Sequence, residues 1–185
     1  MAAAVLTPGS GTYIMADAMM TAAGASLQDV RDAGGQTLPL NYAQGVDGLR
    51  SGRVNMLAVN GPANHPTVQD FARQGQFLVL EEDVIDTVVS NLPGSVHATL
   101  PAGTYSFLEE DYDTFAVYTS LVISEDVPDD VVYAITKHFW ENVDEFRAVG
   151  GFARVADIEN ATVGGDSLPI HPGALRYYRE AGVAD

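Results

Sequence analysis

The stretch Thr7-Pro8-Gly9-Ser10-Gly11-Thr12 gathers hydroxyls and glycines between an apolar run, Ala2 to Leu6, and a helix-like stretch, Tyr13 to Ala23. Ile14, Ala18 and Ala22 fall along one face of that stretch, so the order reads strand, glycine-rich turn, helix. Gly9 and Gly11 permit backbone angles closed to other residues and let a ligand approach the main chain. Ser10 or Thr12 is placed to cap the helix, whose free N–H groups and positive dipole end favour an anion. Ser10, Gly11 and Thr12 thus form a candidate seat for a carboxylate or a phosphate. The same residues also describe a turn that only connects strand to helix.

Two further polar turns follow expected strands. Asn60-Gly61-Pro62-Ala63-Asn64 closes the run Val54–Val59, and Thr104-Tyr105 lies in a later turn. In open α/β sheets ligands sit in the crevice at the carboxyl ends of the strands. Asn60, Asn64, Thr104 and Tyr105 therefore join the candidate set, with a satisfied turn as the alternative role for each. Amides, hydroxyls and free N–H groups in that crevice suit a small carboxylate held without chemistry.

The residues for catalysis do not assemble in the sequence. The histidines, His65, His97, His138 and His171, lie far apart, without metal-ligand partners at helical spacing. Ser10 lacks the G-x-S-x-G pattern of a nucleophile elbow. No lysine follows Gly11 as a Walker A loop requires. Cysteine is absent, which excludes a thiolate nucleophile and disulfides. Glu81-Glu82-Asp83 and Glu109-Glu110-Asp111 read as solvated acidic surface in so acidic a chain. The expectation is a binding protein and not an enzyme, with no metal and no cofactor.

These turns need elements to hold them. The first helix stops at Gly24, and Ser26-Leu27-Gln28-Asp29 resembles a capping box opening a short helix to about Asp32. Thr37–Tyr42 reads as a strand, Gln44–Ser51 as a helix, and Val54–Val59 as a buried strand. A helix over Thr67–Gln74, a strand over Phe77–Leu80 and a helix over Glu82–Asn91 continue the alternation, the pattern of a largely parallel α/β sheet. Ala3–Leu6 and Val54–Val59 are expected as its central strands. After the strand Val96–Leu100, the run Phe115–Ser124 reads as a long strand crossing most of a sheet. Asp129–Arg147 reads as one helix, with Val132, Ile135, Phe139, Val143 and Phe146 as its core stripe. A short helix near Ala153–Asn160 and a last one over Gly173–Ala181 close the chain.

Across 185 residues, 25 acidic side chains face nine basic ones, of which only Lys137 is a lysine, for a formal net charge of −16. Such a surface repels nucleic acid and anionic lipid, which argues against either partner. It suits either a saline setting, where screening relieves self-repulsion, or plain solubility. No apolar run is long enough to span a bilayer, and no export signal is visible ahead of the first strand.

Six segments, in order, carry a resemblance. They are Pro8-Gly-Ser-Gly-Thr12, Leu49-Arg-Ser-Gly-Arg-Val54, Leu100-Pro-Ala-Gly-Thr-Tyr105, Val127-Pro-Asp-Asp-Val-Val-Tyr-Ala-Ile-Thr136, Phe139-Trp-Glu-Asn142 and Ile170-His-Pro-Gly-Ala-Leu-Arg-Tyr-Tyr178. Together they resemble the TAXI family of TRAP-transporter solute-binding receptors. The resemblance implies an α/β, periplasmic-binding-protein-like (type II) fold, closing over an organic acid or an amino acid such as glutamate. It implies a periplasmic location and hand-over to a TRAP permease in the membrane. It also implies that residues 2–114 form the second lobe. Residues 115–185, the crossover strand and C-terminal helices, would associate with the first lobe, whose N-terminal segment is expected to be missing. By the same resemblance Ser10, Gly11 and Thr12 hold a carboxylate, Asn60 and Asn64 lie in the next cleft-side loop, and Thr104 and Tyr105 belong to the Ala-Gly-Thr-Tyr motif. The rival reading is an α/β enzyme or anion-binding domain that uses the Pro8–Thr12 turn for a phosphorylated ligand.

Overall fold

The computed structural model describes residues 1–71, 77–150, 153–163 and 168–185. The chain divides into two compact units, Met1–Ala116 and Val117–Asp185.

The first unit is built on a strand of three alanines. β1 (Ala2–Ala4) lies between β2 (Gln36–Leu38) and β3 (Met56–Leu57), all parallel. Ala3 pairs with Thr37 on one side and Met56 on the other. Ala3, Ala4 and Val5 are fully buried, and the core continues through Ala16 and Leu27 to Met20, Met56 and Ala58. Small side chains on β1 let helices come close. In α3 (Tyr42–Arg50) a Cβ on Gly45 would lie 2.5 Å from Leu57 Cδ1 and 3.5 Å from Ala4 Cβ. The central place of β1 agrees with the sequence, but β3 is an edge strand of only two residues.

Helix α1 (Gly11–Ala22) is capped by Ser10, whose Oγ accepts from the Tyr13 N–H at 3.2 Å. It packs against α2 (Leu27–Asp32) and α5 (Glu82–Asn91). The expected capping box of α2 is present, with the Ser26 and Asp29 side chains each accepting the other's backbone N–H. The Ser26 hydroxyl, donating to Asp29 Oδ2 at 2.6 Å, and then the Ser26 N–H hold the Asp29 carboxyl below its ordinary pKa.

Three expectations up to residue 124 are corrected. The strand Thr37–Tyr42 ends at Leu38, because Asn41 and Gln44 form a capping box that starts α3 at Tyr42. Phe77–Leu80 is not a strand; the Leu78 carbonyl is taken by the Tyr112 hydroxyl at 2.6 Å. The long strand Phe115–Ser124 is instead β5 (Tyr112–Val117), paired with β4 (Ser95–Leu100) in a separate two-stranded sheet. Residues 118–124 have no regular structure, and Leu121 and Val122 are 85% and 67% exposed. Helix α4 (Pro66–Phe71) starts as expected after His65, and its expected end at Gln74 lies outside the described residues.

In the second unit α6 (Asp129–Glu141) packs along α8 (Pro172–Glu180). The expected single helix Asp129–Arg147 breaks at Asn142, and α7 (Val143–Arg147) follows. The Asn142 backbone leaves helical angles there, φ −120° and ψ 24°, while its N–H and its side chain both donate to the His138 carbonyl, at 3.2 Å and 2.8 Å. The buried residues of α6 are Val132 and Thr136, whereas Ile135 of the expected core stripe is exposed. Gly173 meets α6 so closely that a Cβ there would collide with the Asp129 carbonyl oxygen. His171 caps α8, its Nδ1 accepting from the Gly173 N–H at 3.1 Å. The expected helix near Ala153–Asn160 is a single 3-10 turn, Ile158–Asn160. Among the described residues no helix is long and apolar enough to cross a membrane.

Candidate functional site

Because β1 and β3 are parallel neighbours, the segments leaving their carboxyl ends emerge on one edge of the sheet. These are the first turn and the loop Asn60–His65. A Cβ built on Gly11 would lie 3.8 Å from Asn60 Nδ2, so the Asn60 amide stands beside the first residue of α1. The backbone N–H groups of Gly11 and Thr12 have no backbone acceptor among the described residues, as the first turn of a helix dictates. Ser10 Oγ accepts from Tyr13 and keeps its own hydrogen to donate. One hydroxyl, two backbone N–H groups and one carboxamide therefore offer donors around a single helix terminus.

Thr12 plays a different part. It is only 5% exposed, and its hydroxyl lies 3.0 Å from the Tyr42 hydroxyl. The Tyr42 phenol has one hydrogen, which goes to the Asn60 carbonyl oxygen at 2.8 Å, and it accepts from the Asn60 N–H at 3.2 Å. The remaining contact must run from Thr12 as donor to Tyr42 as acceptor. The Thr12 side chain is thus committed to Tyr42, while its backbone N–H stays open.

Sequence reasoning missed Tyr42 and His65. Tyr42 was expected to end a strand; the signal that would have found it is the Asn41-x-x-Gln44 capping box, which makes it the first helical residue. In the sequence His65 stands out only as a histidine without a metal-ligand partner. Its ring meets Tyr42 edge-on at 5.2 Å and lies across Gly61, where a Cβ would collide with the imidazole. His65 Nδ1 accepts from the Thr67 N–H at 3.2 Å, which leaves the neutral ring's hydrogen on Nε2. Burial holds its pKa below the ordinary histidine value.

Tyr105 is brought to the same loop. It is 3% exposed, and its hydroxyl accepts from the His65 N–H at 3.1 Å. Its ring stacks on Phe107 at 5.5 Å and meets Phe77 edge-on at 5.7 Å. Thr104 is half-buried, and its backbone N–H closes a turn onto the Pro101 carbonyl at 3.0 Å. Asn64 has a left-handed backbone, φ 63°, and its Oδ1 accepts from Gln69 Nε2 at 3.3 Å. The structure therefore gathers Ser10, Gly11, Thr12, Asn60 and Tyr105 around one loop and one helix end. Asn64 and Thr104 sit in the same turns with local bonds of their own.

A cavity of about 330 Å³ lies elsewhere, between α3 and α4, lined by Val46, Asp47, Arg50, Pro66, Thr67 and Asp70 among others. Arg50 sits 3.8 Å from Asp47 and 3.7 Å from Asp70, so its charge is already countered there. Among the described residues no group of three or more His, Asp or Glu side chains is gathered as a metal would need. Glu82 and Asp83 lie in the first turn of α5, a favourable place for negative charge.

The chain matches the NMT1-like family over residues 3–182, nearly its whole length. It belongs to the NMT1-like family. That family is of the periplasmic-binding type, and its members are solute-binding proteins rather than enzymes. Proteins of this kind are typically periplasmic, and they serve membrane transporters. The mixed α/β architecture with its parallel sheet is compatible with such a fold.

Proposed function

We propose that this NMT1-like protein is the receptor of a TRAP-type transporter, of the TAXI kind, and that it captures a small organic acid or acidic amino acid without altering it. The carrying observation is the Asn60 amide beside the N-terminus of α1, where Gly11 and Thr12 keep free N–H groups. Ser10 adds a hydroxyl donor, and no carboxylate among the described residues bonds to these groups. Hydrogen-bond donors at a positive dipole end suit a carboxylate. The six sequence segments that resemble TAXI receptors, in order, support the transporter class. On this reading residues 2–114 form the second, ligand-binding lobe, and residues 115–185 associate with the first. Asn64, Thr104 and Tyr105 complete the cleft-side loops.

The experiment is calorimetric titration of the chain with glutamate, succinate and inorganic phosphate, repeated on Asn60→Asp. That substitution keeps the side-chain shape and turns a donor into a negative charge. A hydrogen bond to a charged group contributes about 1.5–3 kcal/mol, so the variant should lose at least tenfold in affinity for glutamate or succinate. Binding of phosphate alone would favour the phosphorylated-ligand reading. Equal affinity in the variant, or no binding of any probe, would remove the site.

A further inference from the structure

The loop Asn60–His65 is held at both ends by phenols that come from distant parts of the first unit. Tyr42, at the start of α3, takes both main-chain groups of Asn60 and is itself steadied by the Thr12 hydroxyl. Tyr105, 40 residues beyond His65, accepts the His65 N–H. Between these grips the His65 imidazole lies over Gly61 and against the Tyr42 ring, so the loop closes on itself. The Tyr105 ring cannot swing freely, since it is packed among Phe77 and Phe107. A six-residue loop with a left-handed residue at Asn64 would otherwise sample many arrangements.

We infer that Tyr42 and Tyr105 are positioning residues: their two hydroxyls hold the Asn60–His65 loop, and with it the Asn60 amide, against the N-terminus of α1. Neither phenol needs to touch the ligand. Tyr42 has spent its hydrogen and both acceptor positions within the protein, and Tyr105 is buried. What they supply is pre-organisation: a donor fixed before the ligand arrives loses less freedom on binding. The importance of this grip for affinity rests on the carboxylate reading above, but the grip itself does not.

The test uses Tyr42→Phe and Tyr105→Phe, which keep the rings and remove only the hydroxyls. Tyr112→Phe is the control, because its hydroxyl bonds the Leu78 carbonyl and leaves the loop alone. Amide hydrogen exchange is read at Asn60 and His65, and calorimetry is run with glutamate and succinate. Tyr42→Phe should speed exchange at Asn60 at least tenfold, Tyr105→Phe should do the same at His65, and Tyr112→Phe should change neither. Both loop variants should also bind glutamate or succinate at least tenfold more weakly than the parent, with unchanged far-ultraviolet circular dichroism. Unchanged exchange in both variants overturns the inference. So does parental affinity in variants whose exchange has risen. If the parent binds neither probe while exchange rises as stated, the clamp stands and the carboxylate reading fails.

Discussion

The hydroxyls of Thr12 and Tyr42 meet at 3.0 Å across 30 residues of sequence, with Thr12 as the donor. This bond ties the second residue of α1 to the first residue of α3, two helices that start from different strand ends. The pair fixes the spacing between the first turn and the Asn60 loop, which is the spacing that a shared ligand would require.

Thr12→Val keeps the shape of the side chain and removes that bond. It leaves Tyr42 with both of its Asn60 contacts, so the cost should be that of one hydrogen bond in a buried setting, about 1 kcal/mol. Chemical denaturation should show the midpoint falling with an unchanged slope. An unchanged midpoint would mean that the bond contributes nothing beyond its geometry.

Gly173→Ala should destabilise the second unit, although helix propensity predicts the opposite sign by about 1 kcal/mol. The added methyl would collide with the Asp129 carbonyl oxygen and lie 3.0 Å from the Tyr133 backbone nitrogen, neither of which a side-chain rotation can relieve. Overpacking of this kind costs about 1–3 kcal/mol. Thermal unfolding should move to lower temperature, and the Arg176 guanidinium should lose its seat 4.1 Å above the Tyr133 ring. A rise in melting temperature would show that α8 has room against α6.

Burial lowers the pKa of His65 below its ordinary value of 6.5. The unfolded chain therefore takes up the proton first as pH falls, and the sign follows from linkage. Stability from this group is level above pH 6.5, declines as pH drops below it, and levels again below the folded pKa. Comparing denaturation midpoints between pH 5 and 8 for the parent and His65→Gln should show a shallower decline in the variant. Parallel curves would assign the acid sensitivity to other groups.

The net charge of −16 makes self-repulsion a term of its own. Raising salt from about 0.1 M to 1 M shortens the screening length from about 10 Å to about 3 Å. Melting temperature should rise markedly over that range. A melting temperature indifferent to salt would leave the acidic excess as a matter of solubility alone.

Much of the first unit was legible from local chemistry. Ser10 and the Ser26–Asp29 box fixed helix starts because a cap is written in adjacent residues. Glu82–Asn91 was bounded by its own sequence and appears with those bounds. What failed depended on partners. Phe115–Ser124 has the composition of a long strand, yet a strand needs a neighbour for its backbone groups, and pairing stops at Val117. The helix through Asn142 failed because the Asn142 backbone, φ −120° and ψ 24°, leaves the helical region, which side-chain periodicity does not register. At the site, the sequence pointed to the polar turns, but Tyr42 and His65 act through contacts that only the fold creates.

Residues 115–124 contain no charge, no proline and no glycine, and the part beyond β5 is exposed. That is the composition from which intermolecular β-stacks nucleate. The acidic envelope thus has a colloidal consequence: it keeps copies of the chain apart while this ribbon stands uncovered. Salt then acts in two directions, firming each molecule and removing the barrier between molecules. Concentrated preparations in brine should cloud with time even as each fold becomes more heat-resistant, and an aspartate at Val122 should separate the two effects.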